Sequence, residues 1–206
     1  MTRRKHKAAR NTARPAQPAT SIPLLLSPYV QAVLLIGLYA TTAAAVIGPH
    51  MPHPAMLAYA ALLAVLLVAL SVVDLRQQRL PDSLNAVLLV SGLASASLGG
   101  SERLAWSALA AVAGFAALWL LAIAYRQLRG RPGLGLGDAK LLGAGASHVG
   151  AAALPSVVLI AAAAALLVVL AAKLAGRAVT WTDRIAFGPF LALGIWIVWL
   201  AGPIVL

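Results

Sequence analysis

The chain contains no cysteine. Disulfides, thiolate nucleophiles and Cys-ligated zinc are therefore excluded. Histidine is sparse: His6, His50, His53 and His148 are scattered, with no metal-ligand spacing. Acidic residues are almost as rare, with only Asp74, Asp82, Glu102, Asp138 and Asp183 in 206 residues. Charged residues of both signs make up 10% of the chain and hydrophobic residues 62%. With a mean hydropathy of +0.91, there is more apolar surface than the interior of a soluble domain this size can hide. Lipid must be the solvent.

What is abundant is positive charge, +11 net, and its distribution is informative. Arg3, Arg4, Lys5, Lys7, Arg10 and Arg14 crowd the first residues, and most of the others flank apolar runs. That pattern orients a membrane protein and does not describe a nucleic-acid groove. Residues 1–22 lack hydrophobic periodicity and read as a disordered cytoplasmic tail. Tyr29–Gly48 is long for a signal-peptide core and more spans follow it, so it reads as a membrane helix that stays.

Further apolar runs follow at Ala55–Val73, Ser83–Gly100, Leu104–Tyr125, roughly Leu154–Ala172, and Ile185–Leu206. Each is long enough, or nearly so, to cross a hydrocarbon core of about 30 Å. Ala139–Gly150 is shorter and rich in small residues. Gly143, Gly145 and Ser147 would allow close approach to neighbouring helices. The expected fold is all-α, a polytopic transmembrane helix bundle of about six to seven membrane segments. Its expected parts are a basic tail (1–25), an extra N-terminal membrane helix with an outer loop (26–54), and a transmembrane core (55–206). Lys and Arg counts place the tail, the loop after Asp74, the loop before Asp138 and residues 173–184 in the cytoplasm. Trp106, Trp196 and Trp199 then fall near the outer interface and Tyr125 near the inner one.

Asp74 and Asp138 thus share a side and a depth, where hydrocarbon meets water. A carboxylate there is costly to desolvate and is a functional candidate by default. Two brought together can share a proton and activate a water between them, as in aspartic proteases. Taken singly, each motif also has a plain reading. Asp74 could be a loop residue past a helix end, and Asp82 or Ser83 could cap the helix after Pro81. Gly135-Leu136-Gly137-Asp138 could be a loop. In combination, Gly135 and Gly137 let the backbone bend sharply, pass close to a neighbour and leave space beside Asp138. Asp138 would occupy a first helical turn, where the dipole favours a carboxylate. Lys140, two residues on, points away from it and reads as a snorkelling interfacial lysine.

The spacing Asp74-x6-Pro81-Asp82, together with Gly-x-Gly-Asp138-x-Lys140-Leu-Leu, resembles the type IV prepilin leader peptidases, which are Gly-x-Gly-Asp intramembrane aspartic proteases. Phe187-Gly188-Pro189-Phe190-Leu191-Ala192 resembles a segment near that family's C-terminal helix, although Ala186 stands where members often have proline. The resemblance covers roughly Ala55 to Leu206. It implies Asp74 and Asp138 as the catalytic pair, with Pro81, Asp82, Gly135, Gly137 and Lys140 as supporting motif. It further implies prepilin or pseudopilin substrates of a type IV pilus or type II secretion system, met in a lipid bilayer. No cofactor, metal or nucleic acid is implied. The expected location is the bacterial cytoplasmic membrane, multi-pass, with the N-terminus inside. The paired Cys-x-x-Cys insert of larger bifunctional members is absent, so N-methyltransferase activity is not expected. Competing readings are another Gly-x-Gly-Asp protease (preflagellin or signal-peptide peptidase-like), a small proton-coupled transporter, and a non-enzymatic assembly factor.

Overall fold

A computed structural model describes residues 35–42, 54–130, 135–176 and 186–202, all of it helix, turn or short connection. The expected tail and outer loop, and the C-terminal end of the last apolar run, lie outside the described residues. Helical residues 35–42 (α1) are followed by α2 (Pro54–Gln77), α3 (Asp82–Ser97), α4 (Ser101–Arg129) and α5 (Leu136–Val149). A 3-10 turn, Ala151–Ala153, leads into α6 (Leu154–Leu174), and α7 (Gly188–Ala201) ends the described chain.

The all-α membrane bundle is observed. Among the described residues three helices are long and apolar enough to cross a bilayer: α2, α4, and α6 with its leading turn. The helix α7 is apolar but shorter. At 1.5 Å per residue, α3 and α5 measure only about 24 and 21 Å. The six-to-seven count therefore includes segments thinner than a full hydrocarbon core.

The core is built around the shortest apolar segment. Helix α5 buries Leu141, Leu142 and Ala146 almost completely and packs against α3, α4 and α7. Small residues make this possible, as lipid supplies no hydrophobic drive between helices. A Cβ added at Gly143 would stand 2.9 Å from the Ala111 carbonyl and 3.0 Å from Phe115 Cβ. At Gly145 it would strike Ile195. Large apolar side chains such as Leu109 and Leu120 on α4, and Leu166 and Leu167 on α6, face outward instead.

Polar contacts fasten the end of α5 remote from Asp138. His148 Nε2 donates to the Leu88 carbonyl at 2.8 Å, and its Nδ1 shares a hydrogen bond with the Tyr59 hydroxyl at 2.7 Å. One imidazole thereby joins α2, α3 and α5. Trp196 corrects an expectation. It is not an interfacial belt residue, because it is buried in the bundle, stacked on Tyr39 of α1 at 5.2 Å and on Trp199 at 5.7 Å. Its indole Nε1 donates to the Thr42 hydroxyl at 2.9 Å. Trp106 and Tyr125 are exposed, as belt positions require.

Candidate active site

Asp74 is not past a helix end, as its plainest reading had it. The helix α2 continues to Gln77, so Asp74 occupies its last turns and is buried, 6% exposed. Its Oδ2 accepts a hydrogen bond from the Gly188 backbone N–H at 3.0 Å. That donor belongs to the first residue of α7, where backbone N–H groups have no partner within the helix. The contact also demands a glycine. A Cβ at position 188 would lie 2.6 Å from the same carboxylate oxygen.

Directly after α2 the chain reverses. Gln78 adopts φ of 50°, a left-handed conformation rare for a residue with a side chain. Pro81, extended at φ −64°, stands at the N-cap of α3. Between them Leu80 is laid against the start of α5. A Cβ at Gly137 would come within 3.1 Å of Leu80 Cβ, so the missing side chain is what admits the loop. Neither Gly135 nor Gly137 has a positive φ, and Gly135 is extended at φ −81°. Of the expected roles, sharp bending is therefore not used; close approach and open space are.

Asp138 is the third residue of α5. Its Oδ2 accepts from the Gly135 N–H at 3.2 Å, one half of a capping box. It stands ahead of the apolar run of α5. Its carboxyl is pushed up from 3.8 to about 6 by burial and by the nearby Asp74 charge, against the opposing Gly135 hydrogen bond. Both aspartates line one cavity of about 340 Å³, with Leu80, Gly135, Gly137 and Lys140 among its walls.

Two supporting residues behave differently from expectation. Asp82 is not the N-cap of α3, which is Pro81 without a side-chain capping bond. Asp82 Oδ1 accepts from Lys140 Nζ at 2.6 Å, tying α3 to α5 at the cavity rim. Lys140, expected to reach simply toward water, instead pairs with an acidic partner on another helix. Sequence reasoning overlooked Gly188 as a partner of Asp74, although its motif had been noticed. It overlooked Leu80 as well.

The sequence matches the type IV leader peptidase family over residues 61–170, just over half of the chain. That stretch contains both aspartates. The chain belongs to the type IV leader peptidase family. Relatives named prepilin leader peptidase/N-methyltransferase include one from Burkholderia pseudomallei strain 1026b. It is 42% identical over 161 residues, which is 78% of this chain and 50% of that protein. One from Aeromonas hydrophila is 39% identical over 143 residues, 69% of this chain and 49% of its own. One from Neisseria gonorrhoeae is 35% identical over 141 residues, 68% and 47% respectively. The chain thus spans about half the length of the curated relatives it matches. No solved structure matches it significantly. Gly188 lies beyond the matched stretch, and its contact with Asp74 is seen in the fold.

Proposed function

We propose that this chain is an intramembrane aspartic endopeptidase that removes the basic leader from type IV prepilins or pseudopilins at the cytoplasmic membrane face. The observation that carries the reading is the convergence of Asp74 and Asp138 on one cavity at one end of the bundle. Family membership supports the substrate class, and the Lys and Arg distribution supports the face and an N-terminus inside.

Hydrolysis of a peptide bond needs a base to deprotonate water and an acid to protonate the developing oxyanion. A carboxylate pair holding one proton supplies both. Burial, and after it the nearby Asp74 charge, raises the Asp138 carboxyl to about 6, and the Gly188 N–H donates to the Asp74 carboxylate oxygen. The two titrate as a pair, and the proton belongs to the pair. Gly188 and Gly135 each hold one carboxylate oxygen in place, so orientation is set before substrate arrives.

The relatives' names include N-methyltransferase. Without cysteine this chain cannot build the paired Cys-x-x-Cys insert, and we read it as a peptidase without that second activity. Intact-mass measurement of the processed pilin tests this. A methyl group on the new N-terminus, lost when this protein is deleted, would refute it.

The test of the main reading is cleavage of a purified prepilin by the purified chain in detergent. The expected product is shortened by its leader. An intact prepilin after prolonged incubation with a well-folded sample would sink the proposal.

A further inference from the structure

The catalytic cavity does not end at the aspartates. Across the Asp82–Lys140 ion pair, which lines both spaces, it adjoins a groove of about 500 Å³. The groove runs over α5, with Ala86 and Leu89 of α3 on one wall and Val112 and Phe115 of α4 on the other. Apart from the ion pair, one polar residue lines it among the described residues, Asn85. Asn85 is 5% exposed, and among the described residues neither Nδ2 nor Oδ1 has a hydrogen-bond partner. Buried polar groups are nearly always satisfied, and an orphaned amide carries a cost that a leucine of similar volume would avoid.

The chemistry next door supplies a reason for it. A protease must extend the segment it cuts, because a helical carbonyl is already hydrogen-bonded and shielded by its own turn. Extending a segment at the edge of hydrocarbon releases peptide N–H and C=O groups with no water to receive them. A side-chain amide carries both a donor and an acceptor and can pair with both. Rotation about the side-chain torsions of Asn85 would present these atoms to the groove it already lines. The apolar walls suit the side chains of a substrate that turns from cationic leader to apolar helix at the cut.

We propose that Asn85 and the groove between α3 and α4 bind the extended apolar stretch of the substrate that directly follows the scissile bond, with Asn85 pairing to its backbone. This rests on the peptidase reading above. The ion pair then marks the border between the site of bond breaking and the seat of the product's new N-terminal stretch.

A first measurement compares Asn85→Leu with the parent chain in kinetics and thermal melting. We expect kcat/KM to fall about 3- to 10-fold, the effect of one lost neutral hydrogen bond. The melting midpoint should stay level or rise, because the orphan is removed. Unchanged kcat/KM with a lowered midpoint would make Asn85 a structural residue and overturn the proposal.

A second measurement does not depend on that variant. Because the chain lacks cysteine, Val112→Cys in an Asp74→Asn background can be cross-linked by copper-phenanthroline to a prepilin with one cysteine just after the cut. A disulfide is expected there and not from Leu166→Cys, an equally exposed site on α6. No substrate link from Val112→Cys, or a link between two copies of the chain instead, would overturn the groove assignment. If the unaltered chain fails to cleave the same prepilin, the functional reading itself has failed, and that result is distinguishable from the other two.

Discussion

Between pH 3.8 and about 6, the Asp138 carboxyl holds on to a proton that an exposed aspartate would have lost. Its value near 6, against 3.8, has a consequence for stability. The folded chain binds more protons than the unfolded chain between those values, so folding is weakened as pH rises through that window. Asparagine has no charge to bury. Asp138→Asn should therefore be more stable than the parent at pH 7.5, by at most about 3 kcal/mol, with the gap closing below pH 3.8. Thermal melts in detergent across that range check it; a gap independent of pH would mean that charge burial is not the cause. Activity should move the opposite way. Asp74→Asn and Asp138→Asn should each abolish prepilin cleavage, and the double variant should be hardly worse, since in the proposed mechanism the pair acts as a unit. Near-normal processing by either single variant would remove that residue from the chemistry. Gly188→Ala forces a Cβ toward the Asp74 carboxylate, 2.6 Å away in the present geometry. Displacing a catalytic group by about 1 Å costs on the order of 100-fold, so kcat should fall by about that factor. Wild-type kcat in this variant would show that Asp74 has room to spare.

At the scale of elements, α5 has the central position. Eight of its 14 residues are buried, and it presents Asp138 at its start and His148 near its end. Its contact with α4 is between backbones, because Gly143 lies against the Ala111 carbonyl. A carbonyl within a helix cannot swing aside as a flexible side chain can. Gly143→Ala should cost about 1–3 kcal/mol of stability by overpacking, read as a lower melting midpoint, and should lower cleavage because Asp138 moves with α5. A midpoint equal to the parent's would mean that α4 and α5 can separate freely. The Asp82–Lys140 bridge joins α3 to α5 more weakly. Its side chains are 75% and 41% exposed, and a solvated ion pair is worth at most about 1 kcal/mol. Asp82→Asn should retain most activity. Helix existence was legible from the apolar runs, and the small-residue pattern of α5 announced its close packing. Helix ends were less legible. Residues Asp74–Gln77 look like a polar loop in sequence, yet α2 extends through them: Asp74 turns inward to the Gly188 N–H, while Arg76 and Gln77 stay exposed.

For the whole molecule, the fold requires both aspartates to share one end. The helices α2 and α4 finish there and α3 and α5 begin there, whereas the Leu98 turn lies at the other end. Single cysteines at Gln77 and Arg129 should be labelled by an impermeant reagent from the cytoplasmic side only. One at Leu98, which is 89% exposed, should be labelled only from outside. Labelling Gln77→Cys and Leu98→Cys from the same face would contradict the proposed orientation. The expected outer loop around Pro52 lies outside the described residues, so Leu98 is the sounder outer reporter.

Sequence alone determined the solvent, the helical class and the two carboxylates, because each depends on composition or on spacing along the chain. An apolar run has to be helical in lipid wherever it packs, and a rare acid at its edge is conspicuous without any neighbour. Which groups meet those carboxylates was decided only in three dimensions. Gly188 lies 114 residues from Asp74, and Lys140 lies 58 from Asp82. No periodicity links such pairs. A glycine in sequence says only that a side chain is missing; the structure decides what occupies the space. At Gly137 that is Leu80, and at Gly188 it is the carboxylate of Asp74. Trp196 shows the same division: its amphipathic ring suits either an interface or a core, and the stacking of α1 on α7 decides for the core.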